Sequence, residues 1–465
     1  MKIVHLLVSC AVLCAGCTLG PNYKRPQNDL PAGADAKDVA VFTQQNWWTM
    51  FNDPVLNEME NTALTYNWDL QAAVARVDQA RAAVTAAGAN QLPSVSAAGS
   101  TGREGSALGS GESTSRAGLT MSFELDLWGK YRRMKESARA QLLATEAARD
   151  TVKLTLTSDV AKQYFAMLML DEQIKIAEQT ITARQENVRI YQSRYEAGYA
   201  TEVDLRRVQA NLSSVQAEAE NLRLQLSKTE TSLAVLLGKS PRALVEEQLQ
   251  RGKTLNEETL VPDVPANLPS DLLERRPDVM TAEQNLVAAN ADIGVARADY
   301  FPDISLTAAA GYASSALTSL FSGGAGVWNM AGNVAAPIFE GGKIKAENQQ
   351  AEAKYREVYA DYQKTVQLAF KDALDALNSN QRYRQIYDAY LSQTNDMRRS
   401  YELTKKQEDA GLIGVTDLLS VEETFLSSEM NLATARNNEL DAVVDLAKAL
   451  GGGWTSTDMK TADKK

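Results

Sequence analysis

The chain has 465 residues, a formal net charge of −11, three cysteines and one histidine. Lys and Arg are scattered under an acidic balance, which disfavours a nucleic-acid backbone as partner because phosphate binding calls for clustered positive charge. Cys10, Cys14, Cys17 and His5 all sit at the extreme N-terminus, so a chain cut before Cys17 keeps no histidine and no free thiol, which excludes disulfides, His/Cys zinc sites and histidine-based catalysis.

In chain order, residues 1–16 read as a signal: Lys2, an apolar run from Ile3 to Val12, then Leu13-Cys14-Ala15-Gly16 before Cys17. The run is too short to span a bilayer as a mature helix. The small residues before Cys17 resemble a lipoprotein signal, in which Cys17 becomes the lipidated first residue, although Cys14 stands where Leu is usual. No metal and no cofactor is expected beyond this covalent lipid. Residues 17–52, with Pro21, Pro26 and Pro31, read as an extended tether. Residues 53–91 hold the first helices, with Asp53 as N-cap and Pro54 in the first turn.

A β-hairpin follows over 92–128. In its second strand Leu119, Met121, Phe123, Leu125 and Leu127 alternate with Thr120, Ser122, Glu124 and Asp126, a period-two pattern with one lipid-compatible and one wet face. Then comes a long helical hairpin over 129–238, whose run from Tyr131 to Gly198 has no proline. A helix of that length extends on the order of 100 Å at about 1.5 Å per residue. Residues 239–276 form a proline-broken linker with short helices. The pattern then repeats: a helix over 277–300, a β-hairpin over 301–340, a second long helical hairpin over 341–450, and a polar tail over 451–465. Gly129-Lys130 answers Gly342-Lys343, Ala197-Gly198 answers Ala410-Gly411, and Leu237-Gly238 answers Leu450-Gly451. One unit is used twice.

Strands are expected near 94–102, 116–127, 303–312 and 327–338. Four strands cannot close a membrane barrel, whose smallest forms have about eight, and an open edge in lipid leaves backbone groups unpaired. Closure therefore takes several chains. Two would give a filled barrel and three would leave room for a pore; the strands alone do not choose. Between Glu202 and Leu237 the positions Leu205, Val208, Leu212, Val215, Ala219, Leu222, Leu226, Thr229, Leu233 and Leu236 form a heptad seam, with a copy at Leu418, Val421, Phe425, Ser428, Leu432, Ala435, Glu439, Ala442, Leu446 and Ala449.

Several stretches resemble one family. They are Cys17-Thr-Leu-Gly-Pro21-Asn-Tyr23-Lys-Arg-Pro26, Trp47-Trp48 with Asp53-Pro54, Leu273-Glu274-Arg275-Arg276-Pro277-Asp278, Ala296-Arg297-Ala298 before Phe301-Pro302, and Leu450-Gly451-Gly452-Gly453-Trp454. Together they resemble the outer membrane factors, the TolC-like exit ducts of tripartite efflux systems, in their lipoprotein-type branch. The resemblance implies a homotrimer in the outer membrane of a Gram-negative bacterium. It implies a mainly α fold with a membrane β-barrel part, twelve strands continuing into a twelve-helix periplasmic tunnel. As partners it implies a periplasmic adaptor and an inner-membrane efflux pump. In related factors an Asp ring narrows the closed tip; here the matching position is Ser420.

The gate is accordingly sought at Thr416, Asp417, Ser420 and Glu423, with Asp204, Arg206 and Arg207 from the other half, and adaptor docking at the turns of Gly198 and Gly411. Arg207 is expected to pair with Asp417 or Glu423, while Asp204 and Asp417 serve equally well as helix caps or surface residues. Two rival readings are a self-contained porin, which suits four strands and such rods poorly, and a structural coiled-coil lipoprotein, which has no need of amphipathic strands. An enzyme is not indicated. No nucleophile–base pairing stands out, and Gly323-Gly324-Ala325-Gly326 reads as loop chemistry.

Overall fold

A computed structural model of the chain describes residues 18–27, 46–104, 112–246, 248–257, 275–322 and 324–452. The signal, Cys17, most of the tether, the middle of the linker and the tail from Gly453 lie outside the described residues. Helices α1 (Pro54–Tyr66) and α2 (Trp68–Ala89) lead to strands β1 (Ser94–Glu104) and β2 (Glu112–Glu124). Helices α3 (Lys130–Glu196), α4 (Glu202–Leu236), the short α5 (Ala243–Glu246) and α6 (Pro277–Ala298) follow, then β3 (Asp303–Ser314), β4 (Gly326–Ala335), α7 (Lys343–Asp409) and α8 (Val415–Ala449). The duplication is exact in length: α3 and α7 each have 67 residues, and α4 and α8 each have 35. Among the described residues no helix is long and apolar enough to cross a membrane.

The contacts divide the chain into two compact units: the described residues up to 29, 75–148 and 280–365 in one, and the rest in the other. The first holds a single antiparallel sheet of order β1-β2-β3-β4, so β1 and β4 are its edges. Its register aligns Val95, Met121, Ala308 and Met330 in one row, and Ala97, Leu119, Ala310 and Trp328 in the next. The opposite face carries the rows Ser94, Ser122, Thr307 and Ala331, and Ser96, Thr120, Ala309 and Asn329. Directly opposed residues share a face, so the apolar/polar alternation of each strand adds up to a two-faced sheet. At the paired Gly118 and Gly311 the strands approach so closely that a Cβ on Gly311 would meet the Ala117 carbonyl oxygen.

Several strand ends differ from expectation, and β2 also starts four residues early, at Glu112. β2 stops at Glu124 because the chain turns there. After Leu125 donates to the Ile304 carbonyl (2.8 Å), the Asp126 carboxylate accepts from the Tyr131 and Arg132 amides (3.2 and 2.9 Å). Asp126 thus serves the start of α3 and does not extend the wet face. β4 ends at Ala335, before Pro337, which has no N–H to give a ladder. β1 and β3 run two residues further than expected, to Glu104 and Ser314.

The N-terminal segment is also more than a tether. Residues 18–27 have no regular structure, yet Tyr23 Oη (3.2 Å) and Arg25 Nε (2.7 Å) both donate to Glu283 Oε1, Asn290 donates to the Pro21 carbonyl, and Arg133 donates to Leu19.

The second unit is helical. Its main core gathers Trp47, Trp48, Phe51, Leu56, Phe165, Met167, Leu233 and Leu440, among others. Asp53 caps α1 by accepting from Val55 (2.7 Å), and it also accepts from the buried Tyr164 hydroxyl (2.5 Å). Every position of the α4 seam is buried or half-buried, and so is every position of its α8 copy. Buried Arg276 donates to the Ala449 carbonyl at the end of α8 (3.2 Å) and pairs with Asp278 (2.7 Å), which gives the Arg-Pro-Asp stretch a structural role.

Candidate functional site

Two turns join the long helices. After α3, Gly198 takes φ +78°, with its amide on the Tyr195 carbonyl (3.0 Å) and that of Tyr199 on Arg194 (2.7 Å). After α7, Gly411 takes φ +69°, with matching bonds to Glu408 (2.8 Å) and, from Leu412, to Gln407 (2.9 Å). These are Schellman closures, in which a left-handed residue costs glycine nothing and others about 1–2 kcal/mol. Nothing lies within 4 Å of a Cβ built at either glycine, so conformation, not space, selects the residue. Beside them Tyr199 is 86% and Leu412 75% exposed in the single chain.

The following helices start differently. Thr201 and Asp204 form a reciprocal capping box on α4, and these bonds, with Arg207 nearby, hold the Asp204 carboxyl below the usual range. α8 begins at Gly414 with no side-chain cap. Arg206 turns back to Glu202 (3.2 Å), within its own helix.

Arg207 does reach the other hairpin, but its partner is the Thr416 hydroxyl and not Asp417 or Glu423. No ion pair among the described residues involves either of those carboxylates. Thr416, Ser420 and Glu423, four and three apart, lie on one exposed face of α8, and Asp417 is exposed as well. Asp204 belongs to its cap, and Gly198 and Gly411 stand at the turns themselves.

Beneath the turns lies a small core of Tyr191, Leu205, Val208, Val415 and Leu419. Glu408 Oε1 accepts from both Tyr191 Oη and Arg194 Nη1, each at 2.7 Å, and burial with this carboxylate beside it raises the Tyr191 pKa above its ordinary value. Further in, Arg184 Nε meets Glu422 Oε2 at 3.1 Å while its Nη1 donates to the Asn211 carbonyl (2.7 Å); the two side chains are 6% and 5% exposed. Burial raises the Glu422 pKa against the opposing pull of Arg184. The Glu408 and Glu422 contacts join the α3–α4 hairpin to the α7–α8 hairpin, while the Arg184–Asn211 bond ties α3 to α4.

None of Arg184, Tyr191, Arg194, Glu408 and Glu422 is among the gate residues that the sequence suggests. A signal existed for the inner pair. Ala177, Ile181, Arg184, Val188 and Tyr191 follow steps of four and three along α3, as do Val415, Leu419, Glu422 and Leu426 along α8. Each row has one charged member, and the two pair.

A two-faced four-stranded sheet with open edges, joined to duplicated long helical hairpins, defines a subunit of a membrane channel that is part β-barrel and part α-helical tunnel. The chain belongs to the outer membrane efflux protein family, whose family model matches residues 60–239 and 268–452. It is 32% identical over 98% of its length to the solvent efflux pump outer membrane protein SrpC of Pseudomonas putida, covering 99% of that protein. It is 30% identical over 97% to the probable outer membrane lipoprotein SilC of Salmonella typhimurium, covering 99% of it. Its fold matches the CmeC outer membrane channel of Campylobacter jejuni with a TM-score of 0.90 and 26% identity, over 96% of this chain and 98% of that one. The protein is therefore an outer-membrane efflux channel and not an enzyme. Three copies pool their four strands into a barrel of twelve that continues into a helical tunnel.

Proposed function

We propose that this exit duct conducts passively and is gated at its helical turns, where Thr416, Ser420 and Glu423 of three α8 helices line the closing lumen. Arg207–Thr416, the Tyr191–Arg194–Glu408 cluster and Arg184–Glu422 hold the α7–α8 hairpin against α3–α4. A periplasmic adaptor, with an inner-membrane pump behind it, docks on the turns at Gly198 and Gly411 through the exposed Tyr199 and Leu412 and draws the hairpins apart. The observation that carries this reading is the concentration of inter-hairpin polar contacts beside two exposed turns, with a polar face of α8 left exposed in the single chain. The exposed Arg207–Thr416 hydrogen bond contributes little, since water competes for both partners, so the buried Glu408 and Glu422 contacts do most of the holding.

The test is conductance in planar bilayers. The Arg207→Ala/Glu408→Gln channel will have a raised resting conductance, and purified adaptor will raise that of the wild type towards it. Equal resting conductance in both channels would overturn the lock.

We further propose that Cys17 carries the lipid anchor, as the small residues before it and the lipoprotein description of SilC support. Mass spectrometry of the mature N-terminal peptide will find acyl chains that Cys17→Ser removes; an unmodified Cys17 would refute the assignment.

A further inference from the structure

In the helical unit, α8 carries Asn437, Asp441 and Asp445, four residues apart and so stacked along one face. α3 lies against this stretch: Lys162 Nζ meets Asp445 Oδ1 at 2.6 Å, and Gln173 Nε2 donates to Thr434 Oγ1 at 3.1 Å and to the Met430 carbonyl at 3.3 Å. Asp441 falls between those two anchor points. Its Oδ2 accepts from Asn437 Nδ2 (3.1 Å), but its buried Oδ1 has no hydrogen-bond partner among the described residues, and neither has Asn437 Oδ1.

The charged groups acting on Asp441 are Lys162 from α3 and Asp445 from its own helix. On the adjoining turn Arg436 pairs with Glu439 (2.6 Å) and lies over the Tyr387 ring of α7. One lysine thus serves two carboxylates, and it is committed to the outer one. Burial, with Asp445 adding to it and Lys162 opposing, pushes the Asp441 pKa up to about 6.

We propose that Asp441 is a proton-operated latch of the α3–α8 seam: protonated, it lets the helices close on each other, and ionised, its uncompensated charge loosens them. The direction follows from linkage. A carboxyl whose folded pKa lies above its unfolded value holds the seam best in acid, and that contribution fades as pH rises through about 6. Since α8 also bears Thr416, Ser420 and Glu423, a looser seam frees the helix that lines the lumen. That consequence rests on the gate reading, whereas the latch itself does not.

Hydrogen exchange of the α8 amides over 430–449 in the intact trimer, corrected for intrinsic exchange at each pH, tests it. Protection will fall about tenfold between pH 5 and pH 8, as expected for a carboxyl shifted by about two pH units. Asp441→Asn will abolish the transition. Lys162→Met, which removes the group favouring ionisation, will move the midpoint up, and Asp445→Asn will move it down. A transition that persists near pH 6 in Asp441→Asn overturns the latch, as does a midpoint unmoved by both neighbouring substitutions. Resting conductance over the same pH range separates the two ideas: protection that titrates with Asp441 while conductance stays flat leaves the latch standing and removes the gate.

Discussion

Replacing Arg184 by Ala will destabilise the helical unit by about 3–5 kcal/mol, the usual cost of stripping one partner from a buried ion pair. The size follows from burial. Both side chains are almost wholly inside, and without the guanidinium Glu422 keeps its charge or its proton in an apolar row between Leu419 and Leu426. The Asn211 carbonyl loses a donor too. Glu422→Gln will cost less, since an amide still accepts from Arg184. The double change Arg184→Met/Glu422→Leu will return to within about 1–2 kcal/mol of the wild type or exceed it, because well-packed apolar residues often replace a buried pair without loss. Urea denaturation followed by helical circular dichroism measures all three, and a single Arg184→Ala variant with an unchanged midpoint would show that the pair does not hold the hairpins together.

The second large effect has the opposite sign. Glu60 lies on the core face of α1 with Leu56, Met59 and Ala63, is 0% exposed, and neither carboxyl oxygen has a hydrogen-bond partner among the described residues. Burial alone raises its pKa well above the usual carboxylate range. Its contribution is therefore greatest below the unfolded value of about 4.3 and is lost as pH rises through the folded one. Glu60→Leu, close in volume, will stabilise the protein at pH 7 by about 1–3 kcal/mol, the penalty of a buried unsatisfied group, and will make stability depend less on pH. Glu60→Gln will lessen the pH dependence but keep an unsatisfied amide. Denaturation midpoints at pH 5, 7 and 9 decide: parallel profiles for the wild type and Glu60→Leu would mean that the carboxyl is solvated.

What could be read from the residues was whatever repeats or alternates. The glycines after the long helices, the proline-free runs, the heptad seam and the two-faced strand each leave a periodic or punctuating mark that local physics imposes. The end of β2 left none, because Asp126 continues the alternation while its carboxylate is drawn to the α3 amides. Residues 18–27 read as part of a tether and have no regular structure, but that Arg25 finds Glu283 depends on a contact across 258 residues of sequence. Pairing by charge sign misassigns Arg207, whose reach from α4 ends at a hydroxyl. Glu60 sits where helical periodicity asks for an apolar residue, and its burial follows that period in spite of its charge.

The unpaired margins of β1 and β4 have a genetic consequence. Each margin must be completed by a sister subunit, so one copy that still joins at one margin but cannot pair at the other leaves the ring open and spoils its intact companions with it. When sound and defective copies are made in equal amounts and mix at random, only about one ring in eight contains sound copies alone. Lesions confined to these two strands should thus be inherited as dominant.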